Sequence, residues 1–421
     1  MLTPYVFGAL VILAFFLLSK NFLREVPPHD KLLIGIFIAA AFLIYTGLFI
    51  WVYEFFLKER FLYGDGEGYH EGAIIAIDYF SRWQFTVPQE AMDLTFIGYP
   101  AYFIAPIYIL GGVEPKLPIM VQLVLCLHIG IMLYKMTALC TGNYKAAKAV
   151  LFFSLFFPEV IGLALYLLKD MLILWLIVAS LYCAILIREK GFNMRYAVYI
   201  LLMVIYLHTL RAGYSVLTFL VCFVTAALPK TRYMEKKIAY SVASVAVMGG
   251  IVFFLFANSP TLTSGYLTQL AEDGYFLQSV NEDASNLASV VIKYPKETII
   301  YILKILQAML AGGLAGIREI LQGYRPEYSE RAIGWIFGEI GAVWRFINLP
   351  VTMVGLWIVL RRYRKQFMPV LIFSLLLVVI MFFKGYSTRF ALPAMMINSI
   401  SWGIGFAALF PGRKRAKEAS G

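Results

Sequence analysis

Residues 63–71 read Tyr-Gly-Asp-Gly-Glu-Gly-Tyr-His-Glu, which brings the carboxylates Asp65, Glu67 and Glu71 and the imidazole of His70 into one short stretch. Gly64, Gly66 and Gly68 alternate with the acids and permit a tight, closely approached backbone. A carboxylate held this way beside an acceptor hydroxyl can act as a general base. Asp65 and Glu67 suit that role equally by residue type. The plainer reading is an interfacial turn whose charges only face water.

Further candidates lie later in the chain: Lys169 with Asp170, His208 with Arg211, and Lys384 with Arg389. Each has an ordinary explanation. Lys169 and Asp170 can simply pair, and Arg211 or Lys384 can snorkel to lipid headgroups. Taken together, carboxylates and fixed cations suit a reaction in which a hydroxyl loses its proton while an anionic phosphate departs. The planar fork of arginine matches a phosphate with two hydrogen bonds. Asp65, Glu67, His70 and Glu71 have the donor types for a divalent metal, but the paired-histidine zinc patterns are absent. No metal or other cofactor is expected, since the cationic side chains can take its place.

The elements that must hold these groups are apolar. The 421 residues are 61% hydrophobic and 14% charged, and the mean hydropathy is +0.78. Soluble domains are nearer half apolar and a quarter charged. Apolar runs long enough to cross a bilayer as helix recur from end to end. The fold class read from this pattern is all-α, a polytopic transmembrane helix bundle of about eleven spans. They are placed near 3–19, 33–56, 117–137, 146–165 (with a break at Pro158), 171–187, 196–210, 212–229, 238–257, 346–361, 367–383 and 390–411. The first run ends in Lys20 without a small-residue cleavage site, so it reads as a retained span. Cys126, Cys140, Cys183 and Cys222 lie in or beside apolar runs without CxxC spacing, as small membrane-buried residues do.

The net charge of +11 falls in short clusters between apolar runs, not on one basic face, so nucleic acid is not an expected partner. The clusters are Lys20, Arg24 and Lys31; Lys135, Lys145 and Lys148; Arg188, Lys190 and Arg195; Lys230, Arg232, Lys236 and Lys237; Arg361, Arg362, Arg364 and Lys365; and the tail with Arg413, Lys414, Arg415 and Lys417. All fall on one side if the N-terminus is outside, which makes that side cytoplasmic. Residues 57–116 and 258–345 are then outer segments. Lys58, Arg60, Arg82 and Lys116 run against this, but the rule is less strict in long translocated loops. Residues 73–83 fit an amphipathic helix in the interface. The apolar stretch 299–317 either lies along the membrane or pairs with 331–347 as a hairpin. Asp273, Glu282, Asp283, Tyr324 and Arg325 are candidates for shaping an acceptor groove.

An acidic residue in the first large outer loop, followed by an interfacial helix, resembles the polyprenyl-phosphate-sugar-dependent glycosyltransferases of the GT-C fold. Tyr99 with Pro100 and the stretch 109–112 resemble the second half of that loop. Leu168, Lys169 and Asp170 resemble an element after the next helical pair, and Thr388 to Pro393 is similar to a late arginine-then-proline element. The likeness covers most of the chain from about residue 33 onward. It implies a GT-C-like module over 33–257 after an additional N-terminal span and loop (1–32), outer interfacial helices over 258–345, and closing spans with a basic tail over 346–421. It also implies a polyprenyl-phosphate-linked sugar donor with its tail among membrane lipids, a glycan or lipid acceptor, and an inverting transfer on the non-cytoplasmic face of the plasma (inner) membrane. On that likeness Asp65 is the base, Glu67 its nearest substitute, and Lys169, Arg211, Lys384 and Arg389 hold the donor phosphate. His70, Asp170 and His208 join them in the substrate site. The chain departs from the pattern in its extra first span and in lacking a large soluble C-terminal domain of the oligosaccharyltransferase kind, which disfavours a protein acceptor.

Two other functions fit the same features. A polysaccharide polymerase or ligase would share the outer cations but join lipid-diphosphate-linked repeat units. A transporter or flippase of lipid-linked sugar should place charges at mid-membrane. Here the charges gather at the outer ends of the spans, which favours chemistry at the surface.

Overall fold

The computed structural model describes residues 3–56, 65–92, 97–227, 331–384 and 388–410. Among them the chain is helical, with no strand. The helices are α1 (Pro4–Glu25), α2 (Lys31–Ile50, continued by a π-helical turn Trp51–Phe56), α3 (Asp65–Ser81) and α4 (Ala105–Gly111, preceded by a π-helical turn Pro100–Ile104). They are followed by α5 (Lys116–Thr141), α6 (Tyr144–Leu155), α7 (Pro158–Ala164), α8 (Asp170–Lys190), α9 (Met194–Leu210) and α10 (Ala212–Ala227). After the undescribed stretch come α11 (Arg331–Arg362), α12 (Arg364–Lys384) and α13 (Thr388–Leu409).

Five described helical segments are long and apolar enough to cross a membrane: Pro4–Glu25, Pro28–Glu54, Lys116–Thr141, Asp170–Lys190 and Ile336–Arg362. The bent pair α6 and α7, 45° apart, makes a sixth if counted as one span. The helices α9 and α10 match expected spans but are shorter, at 17 and 16 residues. The expected span 238–257, the basic cluster 230–237, the tail and the segment 258–330 with its groove candidates lie outside the described residues.

At the centre, α5 and α8 are buried on most sides, whereas α1, α2 and α11 expose much of their apolar surface. Leu10, Leu13, Phe16, Leu32, Ile36 and Leu43 are among those exposed side chains. A soluble fold would bury such faces, and a hydrocarbon surround makes burial unnecessary. On the other side α13 packs against both α6 and α11. There the small residues Gly355, Gly403 and Gly405 let the backbones approach so closely that a Cβ at any of them would strike a neighbouring carbonyl.

The two ends of the bundle are built differently. At one end short loops reverse the chain. Gly142 adopts the left-handed conformation (φ 64°) that closes α5, and Asn143 caps α6 by accepting from the Lys145 and Ala146 amides. Gly191 and Asn193 repeat the device between α8 and α9. Four of the basic clusters meet here. Lys135 pairs with Glu25 at 2.8 Å, Lys148 pairs with Asp30, and Arg188 donates to the Gln366 carbonyl at 3.3 Å. The opposite end joins the last turns of α2 to the start of α5 through Lys116 and Glu54 at 2.8 Å. It also carries α3, α4 and the α9–α10 corner.

Two expectations change. The helix over 73–83 begins eight residues earlier, at Asp65, so Gly66 and Gly68 lie in its first turns and not in a loop. Burial of Gly66, Tyr69, Gly72, Ala73 and Ala76 along one face outweighs the roughly 1 kcal/mol that each glycine costs a helix. The stretch 331–347, expected apart from the span 346–361, is continuous with it in α11, which runs unbroken for 32 residues from Arg331, while its expected hairpin partner 299–317 lies outside the described residues.

Candidate functional site

The charged residues at the α3 end are set by a break in one apolar span. The α6 helix stops at Leu155, and Pro158 starts α7, a position where the missing proline amide costs nothing. A break exposes carbonyls that no water reaches in an apolar surround, and each needs a donor. Tyr45 donates to the Leu155 carbonyl at 2.7 Å, Tyr53 donates to Leu165 O, and the Gln122 amide donates to Leu168 O at 3.2 Å. These bonds fix residues 165–169, the strip that presents Lys169 and Asp170 at the start of α8.

Lys169 and Asp170 are both buried, at 7% and 3% exposure. Arg211, where α9 turns into α10, places Nη1 3.6 Å from Asp170 Oδ1 and its guanidinium carbon 5.4 Å from the Tyr214 ring. Lys169 Nζ stands 5.7 Å from the centroid of Tyr69, and Tyr69 meets Tyr99 edge-on at 5.1 Å. The Tyr99 hydroxyl accepts from Gln122. Burial raises its ionisation well above the usual tyrosine range, and the neighbouring Tyr69 adds to that, so it stays neutral. Gly98 makes room for this packing, since a Cβ there would strike the Thr209 side chain of α9.

Helix α3 sorts the acidic residues. Asp65 lies four residues before Tyr69, one turn away on the same face. Glu67 belongs with Glu71, Ile74 and Asp78 on the exposed face. Asp65 is itself exposed at the helix start, where the macrodipole favours a negative charge. The structure therefore brings Asp65, Lys169, Asp170 and Arg211 to one end of the bundle, joined through Tyr69 and Tyr99. Glu67 points away from that group.

His70 turns to the other flank of α3. Its Nδ1 is 2.8 Å from the Tyr108 hydroxyl, and burial lowers its pKa against the opposing pull of Glu71 and Glu114. His208 is tied within its own corner, with Nδ1 3.1 Å from the Ser215 hydroxyl, which donates to Ala212 O at 2.7 Å. Lys384 ends α12 and Arg389 is the second residue of α13, and the residues between them lie outside the described ones. Among the described residues no group of three or more His, Cys, Asp or Glu side chains converges as a metal site.

Sequence reasoning missed one charged pair. Glu159 on α7 and Arg345 on α11 form an ion pair, 2% and 3% exposed. Glu159 follows the helix-breaking Pro158, a local cue, but Arg345 is 186 positions away and was expected in an outer loop. The aromatic relay of Tyr69 and Tyr99 and the amide of Gln122 were also unforeseen. Compared with protein-family models, with curated proteins and with solved structures, the chain matches none of them.

Proposed function

We propose that this chain is an integral membrane glycosyltransferase that moves a sugar from a polyprenyl-phosphate donor to a glycan or lipid acceptor. The basic end faces the cytoplasm and the α3 end faces outward. The observation that carries the reading is the buried Lys169 and Asp170 with the half-buried Arg211 beside Asp170, and Lys169 set against Tyr69, one helical turn of α3 from Asp65. Burying such charges in an apolar bundle costs several kcal/mol per ion, so their presence speaks for a task. Lys169 and Arg211 offer a phosphate its donors, and the prenyl tail finds lipid or apolar helix beside them. Asp65, exposed above them, takes the acceptor proton as the acceptor oxygen attacks the anomeric carbon and the phosphate leaves. Asp170 orients Arg211, and Tyr69 sets the spacing between Lys169 and α3. Lys384 at the end of α12 and Arg389 at the start of α13 are proposed as further contacts for the phosphate.

Purified protein in detergent is the test. Asp65→Asn should abolish turnover of polyprenyl-phosphate sugars while donor binding survives, and Glu67→Gln should stay active. Full activity in Asp65→Asn would remove Asp65 from the reaction.

The bent α6–α7 span and the buried Glu159–Arg345 pair favour a second reading, a transporter of lipid-linked sugar, because broken helices and buried charges mark transport sites. The same assay separates the two. A micelle has no second compartment, so turnover there belongs to an enzyme and its absence in every donor tried favours transport.

A further inference from the structure

The Glu159–Arg345 pair has no part in the sugar transfer proposed above. Its setting is unusual. Helix α7 has seven residues, too few to hold its own position, and it packs chiefly on α11. The two interlock through glycines. A Cβ at Gly341 of α11 would occupy the place of the Glu159 carboxyl, and one at Gly162 of α7 would occupy that of the Phe337 side chain. Glu159 thus reaches into α11 at one point and Phe337 reaches back at the other. Arg345, one turn beyond Gly341, closes on the carboxylate.

Stability alone does not account for such a pair. Replacing a dry ion pair with apolar side chains of similar volume is usually neutral or stabilising, because desolvation offsets the attraction. What a charge pair adds is register, since one arrangement satisfies both ions and a slipped one strands them. Register matters here because Glu159 is ten residues before Lys169. The stretch between is α7 itself and the strip 165–169, held by Leu165 N–H to Ile161 O at 3.2 Å and Leu168 N–H to Tyr166 O at 2.8 Å. A slip of α7 on α11 would carry Lys169 and Asp170 with it.

We propose that Glu159 and Arg345 are positioning residues, a buried register pin that fixes α7 on α11 and thereby places Lys169 and Asp170. The effect on ligand rests on the phosphate-site reading above; the effect on α7 does not.

The decisive variant is Glu159→Leu with Arg345→Met in the full-length protein in lipid nanodiscs, which removes both charges and keeps apolar volume. Hydrogen exchange over 158–169 and binding of farnesyl phosphate are read together. A pin predicts a melting temperature close to wild type, exchange over 158–169 faster by about tenfold, and farnesyl phosphate binding weaker by about tenfold, the scale of a positional coupling. A folded double variant with wild-type exchange and wild-type affinity overturns the proposal. So does faster exchange with unchanged affinity, which would uncouple α7 from Lys169. If the double variant does not fold, Arg345→Lys keeps the charge but loses the planar fork. It should raise exchange over 158–169 by a smaller factor and leave α5 and α8 unchanged; no local rise, or a rise in all helices, overturns the pin. Wild-type protein that binds no farnesyl phosphate sinks the phosphate reading, and the exchange result alone then decides the pin.

Discussion

The two ends of the bundle use their charged side chains in opposite ways. At the basic end the charges join loop to loop at the rim. Glu25 is 61% exposed and its partner Lys135 26%, and Lys190 and Arg195 face solvent. Such pairs gain little, because water screens them and two long side chains lose freedom. At the α3 end Lys169 and Asp170 are buried beneath Tyr69 and Tyr214, with Arg211 closing the group. The first arrangement orients a protein in a membrane. The second costs desolvation, which only close pairing offsets. Asp30 tempers the contrast, since it is buried at the basic end, but there it starts α2 and is matched by Lys148.

The largest expected effect separates the ends outright. Val113, before α5, is exposed, Lys145, in the first turn of α6, is half-buried, and the two lie at opposite ends. In intact cells a membrane-impermeant maleimide should label Val113→Cys fully and Lys145→Cys only after permeabilisation. The reverse pattern would put Asp65 and Lys169 in the cytoplasm and end the proposed use of an outward-facing donor.

A smaller effect tests the energetic side. Arg211→Ala leaves Asp170 buried without its guanidinium, and the loss should be about 3 kcal/mol. Lys135→Ala, at the basic end, should cost less than about 1 kcal/mol. Equilibrium unfolding in mixed micelles measures both. The double variant Arg211→Ala with Asp170→Asn should recover much of the first loss, because the stranded charge is gone. Equal costs at the two ends would erase the distinction drawn here.

How much of this was legible follows from how local each cause is. The helical class, the apolar segments and the grouping of four basic clusters were readable, because hydropathy and loop charge act over neighbouring residues and solvated charges obey a simple rule. The break at Pro158 was readable for the same reason. The start of α3 was not. Glycine alternation around Asp65 resembles a loop, and only packing of Tyr69, Ala73 and Ala76 makes it helix. That change also separates Asp65 from Glu67, whose two-residue spacing puts them on different faces once they are helical. Asp170 meeting Arg211 was visible as residue types, not as a contact. Glu159 meeting Arg345 was beyond reach, since their separation carries no periodic signal and each looked like an ordinary residue of its segment.

The smallest effect concerns the flank of α3 that carries no cation cluster. Burial holds the His70 imidazole below its ordinary value near 6.5, while Glu71 and Glu114 pull it up and soften the shift. Between that ordinary value and the lower folded one, the unfolded chain binds more protons than the folded chain. The His70 contribution is therefore whole above pH 6.5 and declines as the pH falls below it. Protonation makes Nδ1 a donor, so the 2.8 Å contact then runs from Nδ1–H to the Tyr108 oxygen. His70→Gln keeps a hydrogen-bonding side chain beside Tyr108 and removes the titration. Melting temperatures compared at about pH 7.5 and about pH 5.5, on either side of an unperturbed histidine, should fall less in His70→Gln than in wild type. Parallel losses would assign the acid sensitivity to groups other than His70, and the flanks of α3 would then differ only in charge and not in their response to pH.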